Sequence, residues 1–361
     1  ARNERILDEY EKGKMPLCII AHFSKDSTYE LWEALVSTPR RLFRSWGGDL
    51  ENLVQRAGAL PDDCVTVVEP VTLIAWWRAE KLDLLLRLAS RVLIAPSTLD
   101  AVGAQVERVK AKRGSVGTLG KVGNQYIRHE TTEEEIEKLL THFQGLVTWI
   151  KEHAEIVAVK ADTAGDEILS LLYQADHAVA DSVRLAKQES AVLWTDDFRL
   201  LQLAEQKSWA RCTCWHVLVY AATERQRITK RESAELLAVA AGARYTFVHV
   251  SADALLATSA QDELQVGWQT RSLLETFRQD VELRSTLRMF GSFLQAARRD
   301  RRELWLIEKY VYIGISAVTR DGTRDVDPVL DVLGKLPGIG NYVANWARGH
   351  FIAWPRQVNV R

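Results

Sequence analysis

The residues best placed to do chemistry in this chain are carboxylates that follow apolar runs. Ala191-Val-Leu-Trp194 reads as a short buried strand, and Thr195-Asp196-Asp197 follows it before a helical pattern resumes at Leu200, Leu201 and Leu203. In an open α/β sheet, ligands bind outside the carboxyl ends of the strands. Two adjacent carboxylates there suit a hard divalent cation such as Mg²⁺ or Mn²⁺. The same residues also suit a helix N-cap, in which Thr or Asp accepts backbone N–H bonds. Taken alone, the cap is the stronger reading.

Other acidic residues occupy comparable positions. Glu69 ends the apolar run Cys64–Val68, and Asp100 lies in the first turn of a helix after a second run, Arg91–Ala95. Asp176 and Asp181 sit near the start of the helix leading into Val192–Trp194. In a parallel sheet these positions converge on one edge although they are far apart in sequence. Clustered carboxylates repel one another unless a cation neutralises them, so convergence implies Mg²⁺ or Mn²⁺. Each also has a local use: Asp100 as a helix-dipole partner, Asp181 as a solvated helix residue, Asp197 as a cap.

These carboxylates need an α/β framework. Residues 1–60 read as helices, with a 3.6-residue apolar period in Tyr29–Val36 and a break at Gly47-Gly48. Beyond Pro61, apolar runs at 64–68, 91–95, 156–159, 192–194 and 212–219 alternate with helical segments, which predicts a doubly wound, mainly parallel sheet with flanking helices. Tyr245–Val250 reads as a further strand, and from about 268 onward the pattern is wholly helical. The expected organisation is an N-terminal helical part over 1–60, an α/β domain over 61–262, and an all-α region over 268–361.

Composition narrows the function classes. The chain has 361 residues, 47% hydrophobic and 26% charged, with a formal net charge of −1. No global field draws it to nucleic acid or membrane, so any nucleic-acid contact would be local. No apolar run approaches the ~20 residues that span a bilayer. No secretory leader is visible in Ala1-Arg-Asn-Glu-Arg, and the lack of an initiator Met fits Met removal or excision from a longer polypeptide. The four cysteines are too few for a disulfide scaffold and point to a reducing, cytoplasmic setting. Cys212, Cys214 and His216 would face one side of a strand, and core packing explains them better than a metal.

Residues 111–135 form the most irregular stretch, in which Lys110, Lys112, Arg113 and Lys121 alternate with glycines. No Gly-Lys-Ser/Thr follows, so this is a flexible basic excursion rather than a phosphate loop. Arg298, Arg299 and Arg302 lie on a basic helix face that could track phosphates, though acidic neighbours fit a salt-bridged solvated face equally well. Trp76-Trp77 could stack on bases, but their spacing beside Leu73 and Ile74 favours the core. Leu336-Pro-Gly-Ile-Gly-Asn-Tyr-Val-Ala-Asn-Trp346 is similar to a helix–hairpin–helix, with Gly338 and Gly340 opening backbone N–H groups to a phosphate; a Gly C-cap between two helices explains it as well.

The ordered set Val65-Thr-Val-Val-Glu-Pro-Val-Thr-Leu73, Leu82–Asp100 and Leu193-Trp-Thr-Asp-Asp197 resembles the PIN-like nuclease domains. The likeness is greatest to bacterial large-PIN versions beside tetratricopeptide or helix-turn-helix segments, and covers roughly 12–260. It implies a PIN-like sheet whose carboxylates bind Mg²⁺ or Mn²⁺ and cut phosphodiesters, usually of RNA rather than DNA. By position, Glu69, Asp100 and Asp196 would be ligands, with Asp197 beside them and Thr195 as a supporting hydroxyl. Asp176 falls slightly early and Asp181 slightly late for the third acid, so both stand. Glu69 occupies a position where the family has Asp, one methylene shorter. The rival is an inactive interaction module in a stress-response or phage-defence assembly, with homo-oligomer or protein contacts through the helices; a DNA-directed nuclease using the hairpin is the third.

Overall fold

The computed structural model describes residues 8–10, 13, 15–38, 42–113, 118–122, 125–129, 132–160, 166–246, 249–260, 262, 265–279, 282–320 and 323–352. These fall into two compact units: Ala1–Leu35 with Ala59–Cys214, and Val36–Gly58 with Trp215–Arg361.

The first unit opens with helices α1 (Leu17–Ser24) and α2 (Thr28–Ser37). Helix α3 (Leu50–Ala59), nearly all of it in the second unit, precedes strand β1 (Cys64–Val68) of the first. Next come α4 (Pro70–Arg78), α5 (Leu82–Leu88), β2 (Ala89–Ile94) and α6 (Pro96–Ala111). The glycine-rich basic stretch is no loose excursion: it carries a two-stranded antiparallel ribbon of β3 (Thr118–Val122) and β4 (Gln125–His129). Its scattered glycines hide the period-2 pattern that would announce strands. A Thr132–Glu135 capping box starts α7 (Glu133–His153), which leads to the two-residue β5 (Glu155–Ile156). Helices α8 (Glu167–Ala175) and α9 (His177–Gln188) then deliver β6 (Val192–Trp194), α10 (Phe198–Gln206) and β7 (Arg211–Thr213).

The other five strands form an all-parallel sheet in the order β5-β2-β1-β6-β7. Val67 and Leu93, fully buried, face each other across β1 and β2, while Val68 pairs with Trp194 across β1 and β6. Helices follow three of the strands almost directly. Pro70 and Pro96 occupy the first helical turn, where their fixed φ suits the helix and no N–H is lost. Asp197 starts α10 as an N-cap. Three strand-to-helix junctions thus lie on one edge of the sheet.

The second unit is helical: α11 (Trp215–Glu224), α12 (Lys230–Gly242), α13 (Ala252–Ser259), α14 (Trp268–Glu275), α15 (Leu283–Arg299), α16 (Leu304–Val318), α17 (Asp327–Leu333) and α18 (Gly340–Ala347). The expected run Cys212–Val219 therefore changes type at Trp215, and His216 lies on a helix instead of facing the cysteines along a strand. Tyr245 makes a single parallel bridge to Phe43, with the rings 5.0 Å apart, in place of the expected strand; residues 247–248 lie outside the described ones. The core of this unit includes Phe277, Phe290, Phe293 and Tyr310, and the Tyr310 hydroxyl donates to Asp262.

Helices α17 and α18 form the expected tight hairpin. Gly338 is exposed at φ +78°, and Gly340 presses on α17, where a Cβ would lie 2.5 Å from the Gly334 carbonyl oxygen and 2.7 Å from that of Leu333. Backbone cannot swing aside as a side chain can, so Gly340→Ala is expected to cost about 3 kcal/mol, near the top of the range for overpacking. Gly338→Ala meets open space and should cost about 1 kcal/mol for the left-handed conformation. Urea unfolding of the two variants checks the order.

Candidate functional site

Strands β1 and β6 bring two acidic residues to the same edge. Glu69 directly follows β1 and Asp196 follows β6 by one residue, and the Glu69 N–H donates to the Trp194 carbonyl. Thr72, one turn into α4, ties them together. Its hydroxyl donates to Glu69 Oε2 at 2.9 Å and accepts the Asp196 N–H at 2.8 Å. Asp196 is 1% exposed and accepts the Trp194 indole N–H on Oδ1 at 3.3 Å.

Glu69 is also the N-cap of α4, accepting N–H bonds from Val71 at 3.1 Å and Thr72 at 2.9 Å. Burial outweighs these bonds and, with the charge of Asp197 nearby, raises its pKa to about 8. Asp197 caps α10 through Arg199 and Leu200, as the sequence allowed, and its second oxygen accepts the Leu17 N–H. Burial, only partly offset by these hydrogen bonds, raises its pKa to about 6. The Thr195 hydroxyl accepts the Asp197 N–H at 3.2 Å and steadies the turn.

Asp176 caps α9 by accepting from Ala178 and Val179, and takes the Thr28 hydroxyl on its other oxygen. The fully buried Cys18 thiol lies within the electrostatic reach of Asp197, Asp176 and Glu69, and burial and those charges push its pKa up.

Asp181 belongs to a neighbouring corner. Ser97, in the first turn of α6, donates to its Oδ2 at 2.7 Å, and Arg184 lies 3.4 Å from Oδ1. Asp100 is exposed one turn beyond Ser97 on α6. Thr98 and Ser182 add a hydroxyl contact at 3.3 Å between α6 and α9.

Carboxylate oxygens are the donor chemistry a hard cation takes. Here, however, those of Glu69, Asp176 and Asp197 accept bonds from helix N–H groups and hydroxyls. Among the described residues, no group of three or more His, Cys, Asp or Glu is arranged to hold a metal ion. Sequence reasoning does not single out Thr72, Leu17, Cys18 or Thr28. Thr72 and Ser97 carry a local signal, since each lies one or two residues past a Pro that opens a helix after a strand. The α1 and α2 contacts carry none.

The basic candidates are spread over both units. Lys112 and Arg113 are exposed after α6, and Arg113 pairs with Glu137. Lys121 lies on β3, where the side chain is not described. Arg298 and Arg299 are exposed at the end of α15, with Arg302 just beyond it; the charge of Arg298 reaches Tyr342 on α18, and Arg302 that of Tyr310.

No curated protein and no solved structure matches the chain. A family profile, PIN-TPR-GreABC, described as a PIN domain associated with the TPR-GreAB-C-PIN system, matches residues 67–206. That stretch runs from the end of β1 to the end of α10 and contains Glu69, Asp100, Asp176, Asp181, Asp196 and Asp197. Residues 67–206 are thus similar to this family, which supports a PIN-like domain of the large-PIN type, on a parallel α/β sheet.

Proposed function

We propose that the PIN-like domain hydrolyses phosphodiester bonds of RNA or single-stranded nucleic acid with the help of a carboxylate-bound Mg²⁺ or Mn²⁺. The observation that carries this reading is the junction of Glu69 and Asp196 through the single hydroxyl of Thr72 at the carboxyl edge of the sheet. Glu69, Asp100, Asp181 and Asp196 would hold the ion. A bound divalent ion supplies a nucleophilic water at neutral pH and neutralises charge on the scissile phosphate. Thr72 orients Glu69 and the Asp196 backbone, and Ser97 orients Asp181. Thr195 and Asp197 fix the turn that presents Asp196.

A second reading, an interaction module without activity, is favoured by one observation: the oxygens of Glu69, Asp176 and Asp197 already have protein donors. In that case the chain would work inside an assembly, and the family's association with tetratricopeptide systems suggests a partner of that type. The α17–α18 hairpin, with Gly338, Gly340, Arg298, Arg299 and Arg302, would grip phosphate backbones under a DNA-directed variant of the proposal. A cytoplasmic setting and a role in stress response or phage defence belong to the proposal as well.

The test is cleavage of labelled single-stranded RNA, single-stranded DNA and duplex DNA with Mn²⁺, Mg²⁺ or EDTA, for the full chain and for Asp196→Asn. Metal-dependent cutting lost in Asp196→Asn supports the reading. Cutting that persists in the variant overturns the assigned site, and no cutting of any substrate favours the module. Preferential cutting of duplex DNA would move the substrate assignment to the hairpin.

A further inference from the structure

A surface helix turns polar residues away from the core. Two helices of the second unit turn aromatic rings there as well. In α16, Leu306, Ile307, Tyr310 and Ile315 are buried, while Trp305, Lys309 and Tyr312 follow one another at i, i+4 and i+7 along the opposite face. In α18, Val343, Ala344 and Ala347 are buried, and Tyr342 and Trp346 stand four residues apart on the other side. A π-helical turn, Arg348–Ile352, then lays His350 on Trp346, the rings 4.0 Å apart and their planes at 21°. The same turn sets Phe351 against Tyr312, 5.5 Å apart at 23°, and the Tyr342 hydroxyl donates to Glu308 on α16. These contacts join the two outward faces into one surface. Tyr312 and Tyr342 are each 37% exposed, and Trp305, Trp346 and Phe351 are half-buried.

We propose that the outward faces of α16 and α18, with the turn that follows, form a platform on which the bases of single-stranded nucleic acid stack, RNA and DNA alike. The platform shares a substrate class with the proposed hydrolysis but not a site, and it needs neither the cation nor cutting. Every base has a π-face, so stacking on an exposed ring is tolerant of sequence and of the sugar. A duplex hides those faces between neighbouring pairs, and a stacking surface therefore selects single strands. The ring pairs Trp346–His350 and Tyr312–Phe351 use only their inner faces on each other, which leaves outer faces for a base.

Charge favours a polyanion over a protein as the occupant. Residues 283–352 hold eleven Lys and Arg against seven Asp and Glu, a formal +4 within a chain of −1 overall. Some of these cations are interleaved with the rings. Lys309 Nζ lies 4.7 Å from the centre of the Trp305 ring, and Arg348, exposed two residues after Trp346, reaches Asn345. The charge of Arg298 is felt at Tyr342. Protein interfaces are depleted of charge at their centre, whereas cations beside aromatic rings are what a strand requires, phosphates for the one and bases for the other.

The experiment is fluorescence anisotropy of labelled oligouridylate and oligothymidylate, each of about twelve nucleotides, with the full chain in EDTA. The two strands are expected to bind within about threefold of each other, and a duplex of the same length more weakly. Trp346→Leu and Tyr312→Leu should each weaken single-strand binding about fivefold or more, and Trp346→Phe, which keeps a ring, by less than about twofold. Lys309→Gln should reduce the slope of log affinity against log salt by about 0.7. Leucine variants that bind as tightly as the natural chain overturn the platform, as does a duplex bound as tightly as the single strand, or no binding at all. Self-association in sedimentation that the leucine variants abolish, without strand binding, would make the face an interface between copies instead. Tyr312→Leu carries the comparison if Trp346→Leu does not fold. Cutting is scored separately with Mn²⁺. A chain that binds strands through these rings and cuts none keeps the platform and loses the hydrolysis; a chain that cuts while the leucine variants bind normally does the reverse.

Discussion

Glu69→Gln is expected to remove the loss of stability that the metal-free protein suffers as pH rises from 6 to 8. Burial raises the Glu69 pKa from 4.5 to about 8. Between those values the unfolded chain has released this proton and the folded chain still holds it. With more protons bound in the folded state, the unfolding free energy falls as pH increases. Below pH 4.5 both states are protonated and the effect vanishes; above about 8 both are ionised and the full penalty is present. The slope for one proton is about 1.4 kcal/mol per pH unit, so the fall from pH 6 to 8 is on the order of 2 to 3 kcal/mol.

Asp197 makes a similar descent at lower pH, from 3.8 to about 6, and it remains in the variant. His216, in the other unit, titrates the opposite way: burial lowers its pKa to about 3, so its contribution is complete above 6.5 and lost on the acid side. The window from pH 6.5 to 8 is therefore the cleanest for Glu69. Gln keeps one acceptor for the helix N–H groups, while its amide must face Thr72, so absolute stability gains less than the slope implies. Urea unfolding in EDTA at half-unit pH steps measures this. A Glu69→Gln profile parallel to that of the natural chain would show that the carboxyl is ionised throughout, with its charge balanced by the α4 N–H groups and the Thr72 hydroxyl.

What was legible in the sequence was whatever is decided within a few residues. Thr195-Asp196-Asp197 could be read as a cap because an N-cap bonds two or three residues ahead, and Asp197 does so. The alternation of apolar runs and helical segments announced the parallel sheet because each βα unit is built locally. Apolar runs alone do not reveal where a strand becomes a helix, as at Trp215, because short runs lack a diagnostic period. Contacts between distant residues had no signal at all. Leu17 meets Asp197 across 180 residues and Ser97 meets Asp181 across 84, and either pairing depends on how whole elements pack. The sequence could therefore offer acidic candidates but not the distant donors that each of them meets.

The adjacent tryptophans of α4 provide the second large expected effect, and they separate the two uses the sequence left open. Trp76 and Trp194 are both fully buried, edge to face, with centroids 4.3 Å apart and planes at 83°. Trp77 is partly exposed; its indole N–H donates to the His142 carbonyl at 2.7 Å, and its ring lies over Gly145. Trp76→Ala should therefore cost about 3–5 kcal/mol, the usual range for emptying a buried aromatic site, of which about 0.5–1.5 kcal/mol is the lost ring pair. The loss also reaches the edge, since Trp194 holds Asp196 Oδ1 through its indole N–H. Trp77→Ala removes a hydrogen bond and a partly exposed ring and should cost less, about 1–2 kcal/mol. A base-stacking Trp76 would behave in the opposite way, with single-stranded RNA affinity falling while the melting temperature stays constant. Thermal unfolding and RNA binding measured on the same two variants decide between these uses, and only a large drop in melting temperature for Trp76→Ala fits the core position.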